Sequence, residues 1–172
     1  MKIIFLDIDG VLNNALDADE HKDVELRGEY QGFYSPRCVL LLNEIVQKTN
    51  AKIVLSSTWR HGLTIDDVNE LFTNMNIHAE CVGITRDFSE HKWSFRGNEI
   101  IDYIQRHKDD QCSSEFVYRD YVILDDDTDM LLWQKNNYIN CDPEIGLTDR
   151  TVSKAIAVLN NSICTDTGQE FA

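Results

Sequence analysis

Ile3-Ile4-Phe5-Leu6 is a continuous apolar run that ends abruptly in Asp7-Ile8-Asp9-Gly10. A strand with one face in water alternates apolar and polar residues; an unbroken run belongs to a parallel strand covered on both faces. This run therefore commits the chain to a sheet sandwiched between other elements. Residues two apart in an extended chain share a face, so Asp7 and Asp9 point the same way unless the chain turns between them. Gly10 permits a tight bend and close approach of a ligand to the backbone. Carboxylates at the buried end of a central strand are costly unless a cation sits between them. The segment reads as a site and not as packing.

The remainder alternates strand and helix. Lys2 to Asp7 is read as the first strand. Ser35-Pro36 starts a helix, Ser as the cap and Pro at the first helical position, and Val39, Leu42, Ile45 and Val46 recur at helical spacing up to about residue 50. Lys52 to Ser56 is a second strand. Thr64 caps a helix through about Met75, with Asp66 and Asp67 in the first turn, where they suit the helix dipole. Ile77 to Ile84 holds a weaker third strand, and Gly97 to Lys108 is an amphipathic helix. Tyr121 to Leu124 is a fourth strand, Asn137 to Cys141 a fifth, and Thr148 to Asn160 a closing helix. Strands separated by helices imply an α/β fold, a three-layer Rossmann-like sandwich around a mainly parallel five-stranded sheet with right-handed crossovers. Ligands bind such sheets at the carboxyl ends of the strands. The 172 residues suit one domain, 1–172. The polar stretch 14–35 fits no sheet element; it reads as a flap over the site or as a surface excursion.

Composition narrows the function classes. Net charge is −14, so broad binding to nucleic-acid phosphate or to an anionic membrane is disfavoured, although a local cationic pocket for one phosphate is not. No apolar stretch has the length of a membrane span, and the four apolar residues after Lys2 end in acid, unlike a signal peptide. A cytoplasmic protein is expected. Cys38, Cys81, Cys112, Cys141 and Cys164 are scattered and odd in number, which reads as buried reduced thiols. The histidines His21, His61, His78, His91 and His107 show no metal-ligand spacing.

The chemistry lies in what ends each strand. The first ends in Asp7-Ile8-Asp9, the second in Ser56-Ser57-Thr58-Trp59-Arg60, the fourth in Asp125-Asp126-Asp127-Thr128-Asp129. A parallel sheet brings all three to one edge. Unit charges 4 Å apart at an effective dielectric near 20 interact by ~4 kcal/mol. Gathered carboxylates would repel or hold protons, and Mg²⁺, a hard cation suited to carboxylates and water, removes the problem. Asp127 and Asp129 read as dipole complement for a following helix. Arg60 either reaches substrate or neutralises the acidic edge.

At these residues the chain resembles the haloacid dehalogenase-like (HAD) phosphatases. Their first motif, a hydrophobic strand followed by DxDG[T/V], is matched by Asp7-Ile8-Asp9-Gly10-Val11. Their second, a strand ending in Ser or Thr, is matched by Ile53-Val54-Leu55-Ser56, with Ser57 adjacent. Arg96 best fits the third, with Lys92 and Arg86 as rivals. Val122-Ile123-Leu124-Asp125-Asp126 matches the fourth. Neither cap insertion point has room for a cap domain, which implies an open site with at most a minimal cap. Leu55-Ser-Ser-Thr-Trp-Arg60 is similar to small HAD modules associated with RNA repair, and the paired acids with Trp133 are similar to the phosphatase half of polynucleotide kinase-phosphatases.

The resemblance implies a Mg²⁺-dependent phosphomonoester hydrolase. Asp7 would be the nucleophile that forms an aspartyl-phosphate and Asp9 the general acid and base. Asp7, the Asp9 backbone carbonyl and Asp126 would hold the metal, with Asp125 ligating or orienting a bound water. Ser56, Ser57 and Arg96 would hold the phosphoryl oxygens. The substrate would be a nucleotide, a nucleic-acid end or a phosphoprotein. The alternative is a catalytically silent module that keeps the fold and binds metal or phosphate. Dehalogenase and phosphonatase branches are set aside: the former lacks the second acid of the Asp7/Asp9 pair, and the latter takes a lysine from a cap.

Overall fold

A computed structural model describes residues 1–26, 30–90, 94–107 and 121–160. Its main sheet has five strands, β1 (Ile3–Leu6), β4 (Lys52–Leu55), β5 (Cys81–Ile84), β6 (Tyr121–Asp125) and β7 (Tyr138–Asn140). They lie in the order β5-β4-β1-β6-β7, and every pairing is parallel. The expected parallel five-stranded α/β sheet is therefore present, with β1 in the middle. Each side of β1 is paired, Leu6 opposite Leu55 on one flank and Leu124 on the other. Its side chains from Ile4 to Leu6 are almost wholly buried, which is why the run carries no alternation.

Helices α1 (Pro36–Thr49), α2 (Ile65–Asn74), α3 (Arg96–Arg106) and α4 (Asp149–Leu159) cover the sheet. Local signals start three of them. The Ser35 hydroxyl accepts from the Cys38 N–H and Pro36 is the first helical residue. Thr64 and Asp67 cap each other's ends of α2 reciprocally, and Thr148 does the same with Thr151 at α4. Two apolar clusters fill the layers. The larger includes Leu6, Ile8, Leu42, Leu55, Leu71 and Leu124, and the smaller gathers Phe5, Val54, Ile100, Tyr103 and Ile123. In the smaller, Phe5 meets the rings of Tyr103 and Tyr121 edge-on at 5.7 and 5.6 Å. No described helix is long and apolar enough to cross a membrane. Cys38, Cys81 and Cys141 are buried free thiols, and Cys112 and Cys164 lie outside the described residues.

The strand expected within 77–84 is present at Cys81–Ile84. Two expectations need correction. No α-helix directly follows Asp129; a single 3-10 turn at Leu132–Gln134 stands there. The stretch 14–35 is not without sheet structure. After a 3-10 turn (Ala18–Glu20) it forms an antiparallel hairpin, β2 (Lys22–Leu26) with β3 (Tyr30–Tyr34), separate from the main sheet. Its pattern escaped notice because the exposed residues Lys22-Asp23 and Phe33 interrupt the buried Val24 and Tyr34.

An isolated two-stranded hairpin is marginal in water, so this one depends on what it leans against. It packs on α2, and Gly32 lies flat on the indole of Trp59: a Cβ there would collide with the outer ring. At its base the Asp17 carboxylate accepts from the Ser35 hydroxyl at 2.5 Å, from Asn14 Nδ2 at 3.1 Å and from Arg37 Nε at 2.9 Å. Burial pushes the Asp17 carboxyl up, but those bonds outweigh it and hold it down at about 2. Gly32→Val should cost on the order of 1–3 kcal/mol through overpacking against Trp59. Thermal unfolding measures it, and an unchanged melt would contradict the hairpin's seat on the indole.

Candidate active site

Parallel ladders carry the strand ends to one edge in register. The Asp7 N–H donates to Leu124 O at 3.0 Å and the Ser56 N–H to Leu6 O at 2.8 Å. Asp7, Ser56 and Asp125 thus sit side by side, although the first and the last lie 118 positions apart in the chain. Beyond Asp7 the chain leaves the sheet. The N–H groups of Val11, Leu12 and Asn13 all turn back to Ile8 O, and Gly10 adopts φ +66°. This turn answers the question left by the i, i+2 spacing: Asp7 is buried at the strand end, whereas Asp9 stands exposed above it. Gly10 also makes room for Asp126, whose carboxyl would collide with any Cβ at that position.

One carboxylate oxygen from each of Asp7, Asp125 and Asp126 lies within 4.8 Å of the other two. Asp7 and Asp125 are 5% and 1% exposed. Burial raises the Asp7 carboxyl to about 6 against the opposing effects of Arg96, the Ser57 hydroxyl and the Ile8 N–H. Burial, then the neighbouring Asp7 charge, raises Asp125 to about 8; burial also raises Asp126. Asp125 Oδ2 is buried without a hydrogen-bond partner. Three oxygen donors, an orphaned carboxylate oxygen and mutual repulsion fit a hard divalent cation.

Arg96, first residue of α3, lies over the cluster. Its Nη2 is 3.7 Å from Asp7 Oδ2 and its Nε 3.5 Å from Asp125 Oδ2. The helix start is fixed from the loop after β6. Asp129 Oδ2 accepts from the Arg96 N–H at 2.8 Å, and Gln134 Nε2 donates to Gly97 O at 3.0 Å. Asp129 therefore complements the dipole of α3, not of a helix following it, and does so where Phe95 offers no side-chain cap. Of the rivals, Arg86 is exposed beside Asp102 at 3.8 Å, away from the cluster; Lys92 lies outside the described residues.

The two serines part company. The Ser57 hydroxyl hydrogen-bonds Asp7. Ser56 Oγ instead accepts from Thr85 Oγ1 at 3.4 Å, toward β5. The bond to Asp7 comes from Ser57 although Ser56 is the residue level with Asp7, because β4 has ended at Leu55 and strand alternation no longer governs the side chains. Arg60 turns away from the open site: its Nη2 meets Glu99 Oε2 at 2.8 Å and its Nη1 donates to Ser57 O at 2.8 Å.

Sequence reasoning missed Trp59, Asn13 and Glu99. Trp59 Nε1 lies 3.1 Å from both carboxylate oxygens of Asp9, and Asn13 Nδ2 donates to Asp9 Oδ1 at 2.8 Å. Asn13 Oδ1 accepts from the Gly10 N–H at 2.9 Å, tying the turn to the acid it carries. Glu99 joins Arg60 to the Phe88 N–H, at 3.0 Å, and lies 3.8 Å from Arg96 Nη1. A signal existed only for Trp59, within the Leu55–Arg60 phrase.

The sequence profile described as "HAD domain in Swiss Army Knife RNA repair proteins" matches residues 3–152. The chain belongs to this family. Its span takes in β1, the hairpin, Arg96 and the acids after β6, so the described geometry is that of a small HAD domain, of HAD-type hydrolase stock. Among curated proteins, none matches the chain.

Each raised carboxyl of this HAD domain binds its proton more tightly folded than unfolded, so the stability it contributes is full below the ordinary carboxylate value and is lost as the group ionises. Without divalent cations the melting temperature should fall as pH rises from the ordinary carboxylate value of about 4 through about 8. Asp125→Asn should flatten that slope. An identical slope in the variant would show that the cluster does not store this repulsion.

Proposed function

We propose that this HAD domain hydrolyses phosphomonoesters with Mg²⁺ through an aspartyl-phosphate on Asp7, and that a phosphorylated nucleic-acid end is the substrate. The supporting observation is the meeting of Asp7, Asp125 and Asp126 oxygens within 4.8 Å beneath Arg96 and beside Asp9. The family description, which concerns RNA repair proteins, favours a nucleic-acid end over a sugar phosphate or phosphoprotein.

An Asp7 carboxylate oxygen attacks phosphorus as the bond to the leaving oxygen breaks, and Asp9 delivers its proton to that oxygen. Asp9 then takes a proton from water, whose oxygen attacks the phosphorus of the aspartyl ester. Inorganic phosphate leaves and Asp7 is free again. Trp59 and Asn13 hold Asp9 in place while its exposure lets it exchange protons with solvent. Ser57 and Arg96 are placed to donate to the phosphoryl oxygens, the main protein contribution to such transfers. Asp7, Asp126 and the Asp9 carbonyl would hold Mg²⁺, with Asp125 ligating or orienting a bound water; the ion when bound neutralises charge on the phosphoryl group.

One observation favours a second reading. Arg96 supplies a cation to the acids itself, at 3.5 and 3.7 Å, as in a binding module without turnover. A phosphatase screen with Mg²⁺ over sugar phosphates, nucleotides, phosphopeptides and 3′-phosphorylated oligonucleotides separates the two. Turnover should vanish in Asp7→Asn and fall roughly 10²- to 10⁴-fold in Asp9→Asn. A Mg²⁺-dependent rise in melting temperature with no turnover across the panel would favour the silent module.

A further inference from the structure

A cavity of about 310 Å³ opens beside the acidic cluster, lined by Gly10, Asn13, Asn14, His21, Phe33 and Pro143 among others. Nothing in the proposed chemistry uses it. Its size is at the lower end of ligand pockets, enough for one nucleoside. Two of its walls belong to the reaction centre: Gly10 abuts the Asp126 carboxyl, and Asn13 donates to Asp9. The cavity thus adjoins the residues that fix Asp9 and flank the Asp126 carboxyl.

Its outer wall is aromatic. His21 and Phe33 stack at 4.7 Å between ring centroids, 28° from parallel. Phe33 is 46% exposed, projecting from the opposite side of β3 to the Gly32 and Tyr34 neighbours that face inward. His21 is oriented by the Asn14 N–H, which donates to its Nε2 at 3.4 Å. Such exposure on a small hairpin costs solvation and contributes nothing to the core. The polar lining is already engaged: Asn13 by Gly10 and Asp9, Asn14 by Asp17 and Cys38.

We propose that this cavity is the leaving-group subsite and that it takes the nucleoside bearing the phosphate, its base stacked on the Phe33–His21 platform. The proposal rests on the phosphatase reading and adds the group that is recognised. Stacking accepts any base, because every base presents a π-face. Committed asparagine amides and a stacking wall therefore give a subsite that favours nucleosides with little choice among bases. The nucleoside comes either from a strand end or from a free nucleotide.

Phe33→Ala, His21→Ala and Phe33→Trp test this, with kcat/KM measured on 3′- and 5′-mononucleotides, on 3′- and 5′-phosphorylated oligoribonucleotides, and on glycerol phosphate. Phe33→Ala should lose roughly ten- to hundred-fold on the nucleoside substrates, leave glycerol phosphate unchanged and keep its melting temperature. Phe33→Trp should retain nucleoside activity. Whichever of mononucleotide and oligonucleotide shows the Phe33 effect identifies the source. Equal effects on nucleoside and glycerol substrates, or none on either, would overturn the subsite while leaving the phosphatase intact. Titration of Asp7→Asn with 3′- and 5′-AMP reads binding apart from turnover. Phe33-dependent binding supports the subsite even if the parent protein hydrolyses nothing, and binding indifferent to Phe33→Ala refutes it.

Discussion

The fold pushes carboxylates together where water cannot separate them. Parallel pairing of β1 with β4 and β6 aligns the strand ends, so the residues at those ends are delivered to the same edge. In two of those places the residue is an aspartate almost without solvent contact. No packing advantage accounts for that arrangement, because a buried unpaired charge costs several kcal/mol on the order of what a domain has to spare. Everything nearby acts on this tension: Arg96 leans over the pair, Ser57 bonds Asp7, and Gly10 gives way to Asp126.

A rigid sheet edge holds loops whose side chains are set by bonds from elsewhere. Arg96 is where it is because Asp129 and Gln134, from the loop after β6, hold the first turn of α3. Asp9 is where it is because Trp59, from the loop after β4, holds its carboxylate, and Trp59 is itself covered by the hairpin at Gly32. The hairpin is thus joined to Asp9 by one side chain. It presents its other side, with Phe33, to the cavity.

The parts legible in sequence were those written locally. Caps at Ser35, Thr64 and Thr148 fix helix starts within one turn, and buried runs such as Lys52–Leu55 and Tyr121–Asp125 need no knowledge of their neighbours. The convergence of Asp7 with Asp125 and Asp126 followed from parallel topology alone. What escaped was decided by tertiary contact. Which of Ser56 and Ser57 meets Asp7 is decided beyond the end of β4, where strand alternation gives no guide. Asp129 serves a helix 33 residues earlier in the chain. The hairpin is stable only against α2 and Trp59, and its own residues do not announce that support.

The central claim is that the acids of β1 and β6 share one divalent ion. Diffraction from crystals soaked in Mn²⁺, which scatters anomalously where Mg²⁺ does not, tests it most directly. The account predicts one anomalous peak between the Asp7 and Asp126 carboxylates at bond lengths of about 2.0–2.3 Å, with Arg96 drawn back from Asp125. A fully occupied peak elsewhere, or none while Arg96 still bridges Asp7 and Asp125, would contradict it.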